Sequence, residues 1–558
     1  MKRATTASGV TTYTYAGATA RPDQIVNDPA GDDPPQAIGY EWDGELPETI
    51  EQTGPATGRF AFGYDGALRL SSTAVTAGGT TLTTAITRDD DGLVTGYGPF
   101  TLARGGAGGA LSRVSGNGLT LDLGIDAAGD VASRTLGSAY GFTLTRDDAG
   151  RVVRRVEDGV ETAFAYDDDG RLLRVERDGA VVERYTYDRN GNRLTRRIGG
   201  GPVETSTYDD ADRLTARGAV AYEHDAAGFL RRRGDDTFTY SSRGELLRAE
   251  AGGEVVTYAY DGLGRRTART VDGRTTQYLY GDPADAFQVS AVRAPDGTLT
   301  RLHYTEDGLL FALQSSAGWR YVGVDQVGSP RVVTDASGTV LKRIAYDAFG
   351  GVVSDSAPGV DVPLGFAGGL PDEATGLVRF GMRDYDPAVG RWTAADPALF
   401  GGGQANLYEY VASDPVDGRD PSGLICVGGS AYSGVGGGAS LCITDEGVSV
   451  CAELGLGFGT DVDVDFTGDL ADNDTSVVAE VKVGAGPAAI KLGAELNSAG
   501  CLKVGPEFEL GPLKVGHDSF GVKQSIDVEL DGKSALDLKG LSAIAKVAAK
   551  HCVSTKGG

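Results

Sequence analysis

The aspartates between residues 383 and 420 include Asp384, Asp386, Asp396, Asp414 and Asp420, with Arg383 at the head of the run. Two carboxylates brought close cannot both ionise cheaply, so they share one proton. The ionised member can activate water as a base, and the protonated one can donate to a carbonyl or a leaving amide. An arginine beside such a pair orients one carboxylate and keeps it charged. Taken alone, Asp-Pro and Asp-Tyr steps are ordinary turn formers, and the residues by themselves would leave all five in that role. Nearer the C-terminus, His517-Asp518-Ser519 contains the groups of a nucleophilic triad. Neighbours on a strand point to opposite faces, so a contiguous set cannot assemble that way, and His551-Cys552 has the same problem. The cysteines at 426, 442, 451, 501 and 552 do not have zinc-ribbon spacing. They suit one or two disulfides in an oxidising space, or buried thiols. No cofactor and no metal site is expected.

What could bring distant aspartates together is visible upstream. An aromatic, an acidic turn, Gly, Arg and Leu recur, as in Tyr166-Asp167-Asp168-Asp169-Gly170-Arg171-Leu172 and Tyr187-Asp188-Arg189-Asn190-Gly191-Asn192-Arg193-Leu194. Successive steps from Tyr166 through Tyr187, Tyr208, Tyr222, Tyr240 and Tyr260 to Tyr280 are 21, 21, 14, 18, 20 and 20 residues. Such a period means a repeat architecture. The flanking segments alternate apolar and polar residues, so each unit reads as a β-hairpin with an Asp-capped, Gly-containing turn. A hairpin cannot bury its face alone, and stacked neighbours make a long winding sheet. Weaker copies at Tyr64-Asp65-Gly66, Arg88-Asp89-Asp90-Asp91-Gly92 and Arg146-Asp147-Asp148-Ala149-Gly150 extend the repeat over residues 60 to 350.

This pattern resembles the YD-repeat, or Rhs, family, which is similar to the C component of Tc toxins. The resemblance extends to Asp325-Gln326-Val327-Gly328-Ser329-Pro330, Tyr346-Asp347-Ala348-Phe349-Gly350, Arg383-Asp384-Tyr385-Asp386-Pro387, Asp396-Pro397 and Asp420-Pro421-Ser422-Gly423-Leu424, in the family's order. Val324 departs from it, standing where the family often has His or another polar residue. The resemblance implies a mainly β fold: a spiralling YD-repeat shell, a hollow cocoon, around a C-terminal passenger. It further implies self-cleavage by two aspartates with an adjacent arginine. The matching residues are Asp384, Asp396 and Arg383, and the cut would fall between Leu424 and Ile425. Asp420 is the next candidate. Trp392 and Tyr408 are expected to be core aromatics.

The expected divisions are an N-terminal segment (1–60), the repeat shell (61–350), a terminal plug with the cleavage motif (351–424) and a variable effector domain (425–558). The last boundary is compositional. Every Arg lies at or before Arg419, and every Cys lies after Leu424. The terminal segment has 10 Lys against 18 acidic residues. It reads as β-rich, with alternation at 440–444, 448–454, 462–466, 477–483 and 525–530, ending in a short helix near 541–548.

A net charge of −26 argues against nucleic-acid binding by the shell. No signal-like start and no long apolar run are present. The expected function is a polymorphic toxin carrier, secreted or delivered by a secretion system, with a shell-capping or delivery partner and a cognate immunity protein. Two alternatives stay open: a surface or structural YD-repeat protein that is not cut, and a pore-forming effector, since amphipathic strands also suit a membrane barrel.

Overall fold

In the computed structural model, the described residues are 1–15, 21–31, 33–105, 109–126, 130–397 and 404–424, together with strands within 427–527. The expected terminal helix, Ile425, His517-Asp518-Ser519 and His551-Cys552 lie outside them. Thirty-five strands, from Lys2–Thr6 to Val352–Asp355, form one antiparallel sheet. Each pairs with the next in sequence. Residues 1–60 are therefore not a separate segment: Lys2–Thr6, Gly9–Thr14, Gln24–Pro29, Gln36–Asp43 and Leu46–Thr53 are the sheet's first strands.

Each residue of the repeated motif has one physical task. Tyr187 ends its strand at a β-bulge, and its hydroxyl donates to the Leu172 carbonyl at 2.7 Å. Tyr166, Tyr208, Tyr260 and Tyr280 make the same bond to Val152, Arg193, Leu246 and Arg266, 14 or 15 residues back. Asp167 closes the turn, accepting the amides of Asp169 (3.0 Å) and Arg171 (2.9 Å) on one oxygen and the Arg171 guanidinium (2.7 Å) on the other. Gly170 takes φ +85°, where a side chain would be strained. Arg171 then lies over the ring of Tyr187, 5.4 Å from its centroid, and so joins one repeat to the next. Tyr187→Phe should keep that stacking and lose only the bond to Leu172, about 1 kcal/mol. A small fall in the melting temperature of the purified chain, by calorimetry, checks this.

The sheet winds over itself. Ser8 accepts from the Ser242 amide, Asn27 donates to the Tyr260 carbonyl, Gln52 accepts from the Tyr280 amide, and Arg343 pairs with Asp158. The sequence separation falls from 234 through 233 and 228 to 185 along that series. The apolar faces follow the same pairing. Ile25, Ile38 and Phe60 pack with Leu279 and Leu299, while Phe100, Leu121 and Phe142 pack with Phe311, Tyr321 and Val332.

After Asp355 the chain turns back along the sheet. Asp372 binds Arg269, Asp384 binds Arg266, Asp386 binds Arg233, Arg391 binds Asn192 and Asp417 binds Arg146. A small sheet of Leu370–Pro371, Val378–Phe380, Arg383–Asp386 and Arg391–Trp392 lies within this returning plug. Its apolar side joins Phe366, Phe380, Tyr385, Trp392 and Tyr410 in one buried cluster.

The chain forms two compact units, residues 1–434 with 438–455, and residues 435–437 with 456–558. Strands Gly437–Thr444 and Gly447–Leu454 match the alternation in the sequence. In the second unit, Asp461–Thr467, Val477–Ala485, Ala488–Leu496 and Leu502–Leu510 form an antiparallel meander closed by Ile526–Asp527. The strands Ala488–Leu496 and Leu502–Leu510 were not expected from the sequence.

Candidate cleavage site

The strand Arg383–Asp386 carries the first two candidate residues and separates them. Arg379 lies opposite Asp384, and Phe380 opposite Arg383. Alternation therefore sends Arg383 and Asp384 to different faces. The hairpin at Asp386-Pro387-Ala388-Val389-Gly390 folds back, pairing Tyr385 with Trp392 and Asp386 with Arg391. Thr393 caps it by donating its amide to the Asp384 carbonyl at 2.9 Å.

On the Asp384 face, the carboxylate is 1 % exposed and sits between two buried guanidinium groups. Arg266 donates to one oxygen at 2.7 Å and Arg379 to the other at 2.8 Å. Arg266 also lies over the Tyr258 ring at 4.1 Å and donates to the Tyr260 hydroxyl. Asp384 thus fastens the plug to the shell.

On the other face, Arg383 is the hub. Its Nη2 binds Asp396 at 2.7 Å and Asp420 at 3.3 Å. Its Nη1 donates to the Leu407 carbonyl at 3.3 Å, and its Nε donates to the Gly423 carbonyl. The guanidinium lies 4.2 Å from the centre of the Trp392 ring. Burial pulls the Arg383 guanidinium down, and Asp396 and Asp420 act against that. The two carboxylates that meet through Arg383 are therefore Asp396 and Asp420. Asp384, expected to pair with Asp396 beside Arg383, is instead held by Arg266 and Arg379, because alternation puts it on the opposite face of the strand from Arg383.

The segment Asp420-Pro421-Ser422-Gly423-Leu424 lies against this hub. The Met382 amide donates to the Ser422 carbonyl at 2.7 Å. Gly423 has φ +66°, and a Cβ there would press on the Phe380 carbonyl and come within 2.8 Å of the Arg383 nitrogen. Only Gly fits so close a pass of backbone. The Leu424 amide donates to Asp420 Oδ1 and to Ser422 Oγ, both at 3.1 Å. The Ser422 hydroxyl stands 2.9 Å from the Leu424 carbonyl oxygen and 3.0 Å from Asp420 Oδ1. Burial pushes the Asp420 carboxyl up, against Arg383 and the hydrogen bonds from Ser422, Leu424 and Gly423. Both polar groups of Leu424 are thus held by the motif itself. Sequence reasoning missed Arg266, Arg379 and the contact of Ser422 with Leu424.

The flank of the hub carries a second set of acids. Glu409 accepts the Ser413 hydroxyl at 2.8 Å, and Val411–Ser413 runs through three left-handed residues with φ of 45°, 53° and 58°. Such residues cost roughly 1–2 kcal/mol each. Burial pushes the Glu409 carboxyl up to about 7, opposed by Ser413, Arg171 and Arg391 and reinforced by Asp188. Burial, with Asp417 beside it, likewise raises Asp414 to about 7. Both raised groups hold a proton in the folded chain that the unfolded chain has lost. Stability therefore falls as pH rises from the ordinary carboxylate range to about 7, and this contribution is level above that. Glu409→Gln should flatten part of that fall and raise stability at pH 8 by about 1–3 kcal/mol. Melting temperatures measured from pH 5 to 8 check it.

Residues 1–416 match the family model described as the teneurin YD-shell. The chain belongs to that family. Teneurin-3 of Danio rerio is 39% identical over 220 residues and teneurin-4 of Mus musculus 37% over 216, each match covering 37% of this chain. The chain matches only 8% of the length of these relatives. Among solved structures, TcdB2-TccC3 aligns over 75% of this chain and 24% of its own, with a TM-score of 0.55 and 18% identity. A form of TcdB2-TccC3 without its hypervariable C-terminal region gives 0.54 at 18% identity, over 75% of this chain and 24% of that one. These structures share the shell's fold. This chain is thus a YD-repeat shell protein, and the matched span ends short of Asp420.

Proposed function

We propose that this shell cuts itself after Leu424 and so releases residues 425–558, the segment it carries, as a toxin effector. The observation that supports the cut is the placement of Leu424: its amide and carbonyl are gripped by Asp420 and Ser422, beside the Arg383–Asp396 pair. In this reading Asp396, paired with Arg383 at 2.7 Å, takes a proton from water. The water oxygen bonds to the Leu424 carbonyl carbon. The carbon–nitrogen bond then breaks, and Asp420, whose carboxyl is pushed up by burial, supplies the proton that leaves with the Ile425 amine. Asp384 takes no proton in this scheme and positions the hairpin. The change from Arg to Lys and the confinement of Cys beyond Leu424 support a passenger with a separate history. The hypervariable C-terminal region named for TcdB2-TccC3 supports the same division. Export by a delivery partner and a matching immunity protein belong to that role.

A second reading, an uncut structural or surface shell, is favoured by the teneurin relatives. Intact-mass analysis of the purified full chain separates the two. Self-cleavage gives fragments of residues 1–424 and 425–558 that comigrate under native conditions. One species of 57.7 kDa would reject it and leave the uncut shell.

A further inference from the structure

The Ser422 hydroxyl is the nearest side-chain donor to the Leu424 carbonyl oxygen among the contacts of the hub, at 2.9 Å. Its position is fixed on both sides. Its own carbonyl accepts the Met382 amide at 2.7 Å, and the carbonyl of the next residue, Gly423, accepts Arg383 Nε. The hydroxyl has one proton and two acceptors within reach, the Leu424 oxygen and Asp420 Oδ1. An ionised Asp420 would draw that proton strongly, whereas a protonated Asp420 is the weaker acceptor and competes less for it. Burial favours the protonated form of Asp420.

We propose that Ser422 is a catalytic residue of the cut, donating its hydroxyl hydrogen bond to the Leu424 carbonyl oxygen as negative charge builds there. The inference rests on the self-cleavage reading and adds to it the group that stabilises the oxyanion. As the water oxygen bonds to carbon, the carbonyl electron pair moves onto oxygen, and the Ser422 O–H faces it. When the carbon–nitrogen bond breaks, the pair returns to the carbonyl, the amine leaves with a proton from Asp420, and Ser422 keeps its own. A donor placed this way before the reaction needs no reorganisation as charge develops, and losing one typically slows such reactions about 100- to 1,000-fold.

The test is a pulse-chase of the full chain made in cell-free translation, following appearance of the 425–558 fragment. Ser422→Ala should slow cleavage at least about 100-fold. Ser422→Thr, which retains the hydroxyl, should cleave within a few-fold of the parent. Ser422→Cys, a weaker donor, should fall between them. Melting temperatures of all three report whether the motif still docks. Cleavage of Ser422→Ala at the parental rate would overturn the proposal and leave self-cleavage standing. So would a Thr variant with parental melting temperature that is as slow as Cys. A parental chain that never cleaves would remove the self-cleavage reading itself, and this proposal with it.

Discussion

Asp396→Asn is expected to leave the chain as a single 558-residue species, where the proposed cut would split the parent into two fragments. Asn keeps the size of the side chain and one oxygen to accept from Arg383 Nη2, now 2.7 Å from the carboxylate. It cannot take a proton from water. The hub should therefore stay folded while the base is lost, and cleavage should drop below detection on the pulse-chase timescale. Intact mass gives the outcome and a melting curve gives the control. Substantial cleavage of Asp396→Asn with unchanged stability would exclude Asp396 as the base.

Asp384→Asn should behave differently. Its effect is expected in stability first, because it leaves Arg266 and Arg379 buried without their shared anion. Removing one partner of a buried charge pair costs about 3–5 kcal/mol. The plug should loosen from the shell, seen as a lower melting temperature and faster proteolysis within residues 356–424. Cleavage should suffer only as a consequence. Combining Asp384→Asn with Arg379→Gln should recover part of the stability, since it also removes one of the stranded cations. A base or acid at 384 would give the opposite pattern: lost cleavage with unchanged stability, and no recovery in the double variant.

The repeat was legible because its signals are local. Tyr, Asp, Gly and Arg act within a few residues of one another, as Asp167 and Arg171 do. The first strands were not read as sheet because their turns, such as Thr6–Gly9, lack the Tyr-Asp signature. Asp396 and Arg383 came from resemblance alone, and their contact depends on a hairpin that the sequence marks only by Asp386-Pro387 and Gly390. Arg266 was out of reach, lying 118 residues before Asp384. The separation of Arg383 from Asp384 was available in principle, since alternation along a strand is a sequence-level rule, but it applies only once Arg383–Asp386 is known to be a strand. Ser422 carried no signal, because a hydroxyl two residues before a carbonyl is common in turns.

The plug's backward path along the sheet imposes an order of events during synthesis. Asp384 finds Arg266 made 118 residues earlier, and Asp417 finds Arg146 made 271 residues earlier. Sheet growth needs only the preceding strand, so the wall can accumulate as the chain leaves the ribosome. The Arg383 hub cannot assemble until Gly423 has emerged and its carbonyl reaches the guanidinium. Scission would then be timed by the last contact of the wall with its own tail, and a nascent chain that had not finished winding would keep its passenger attached.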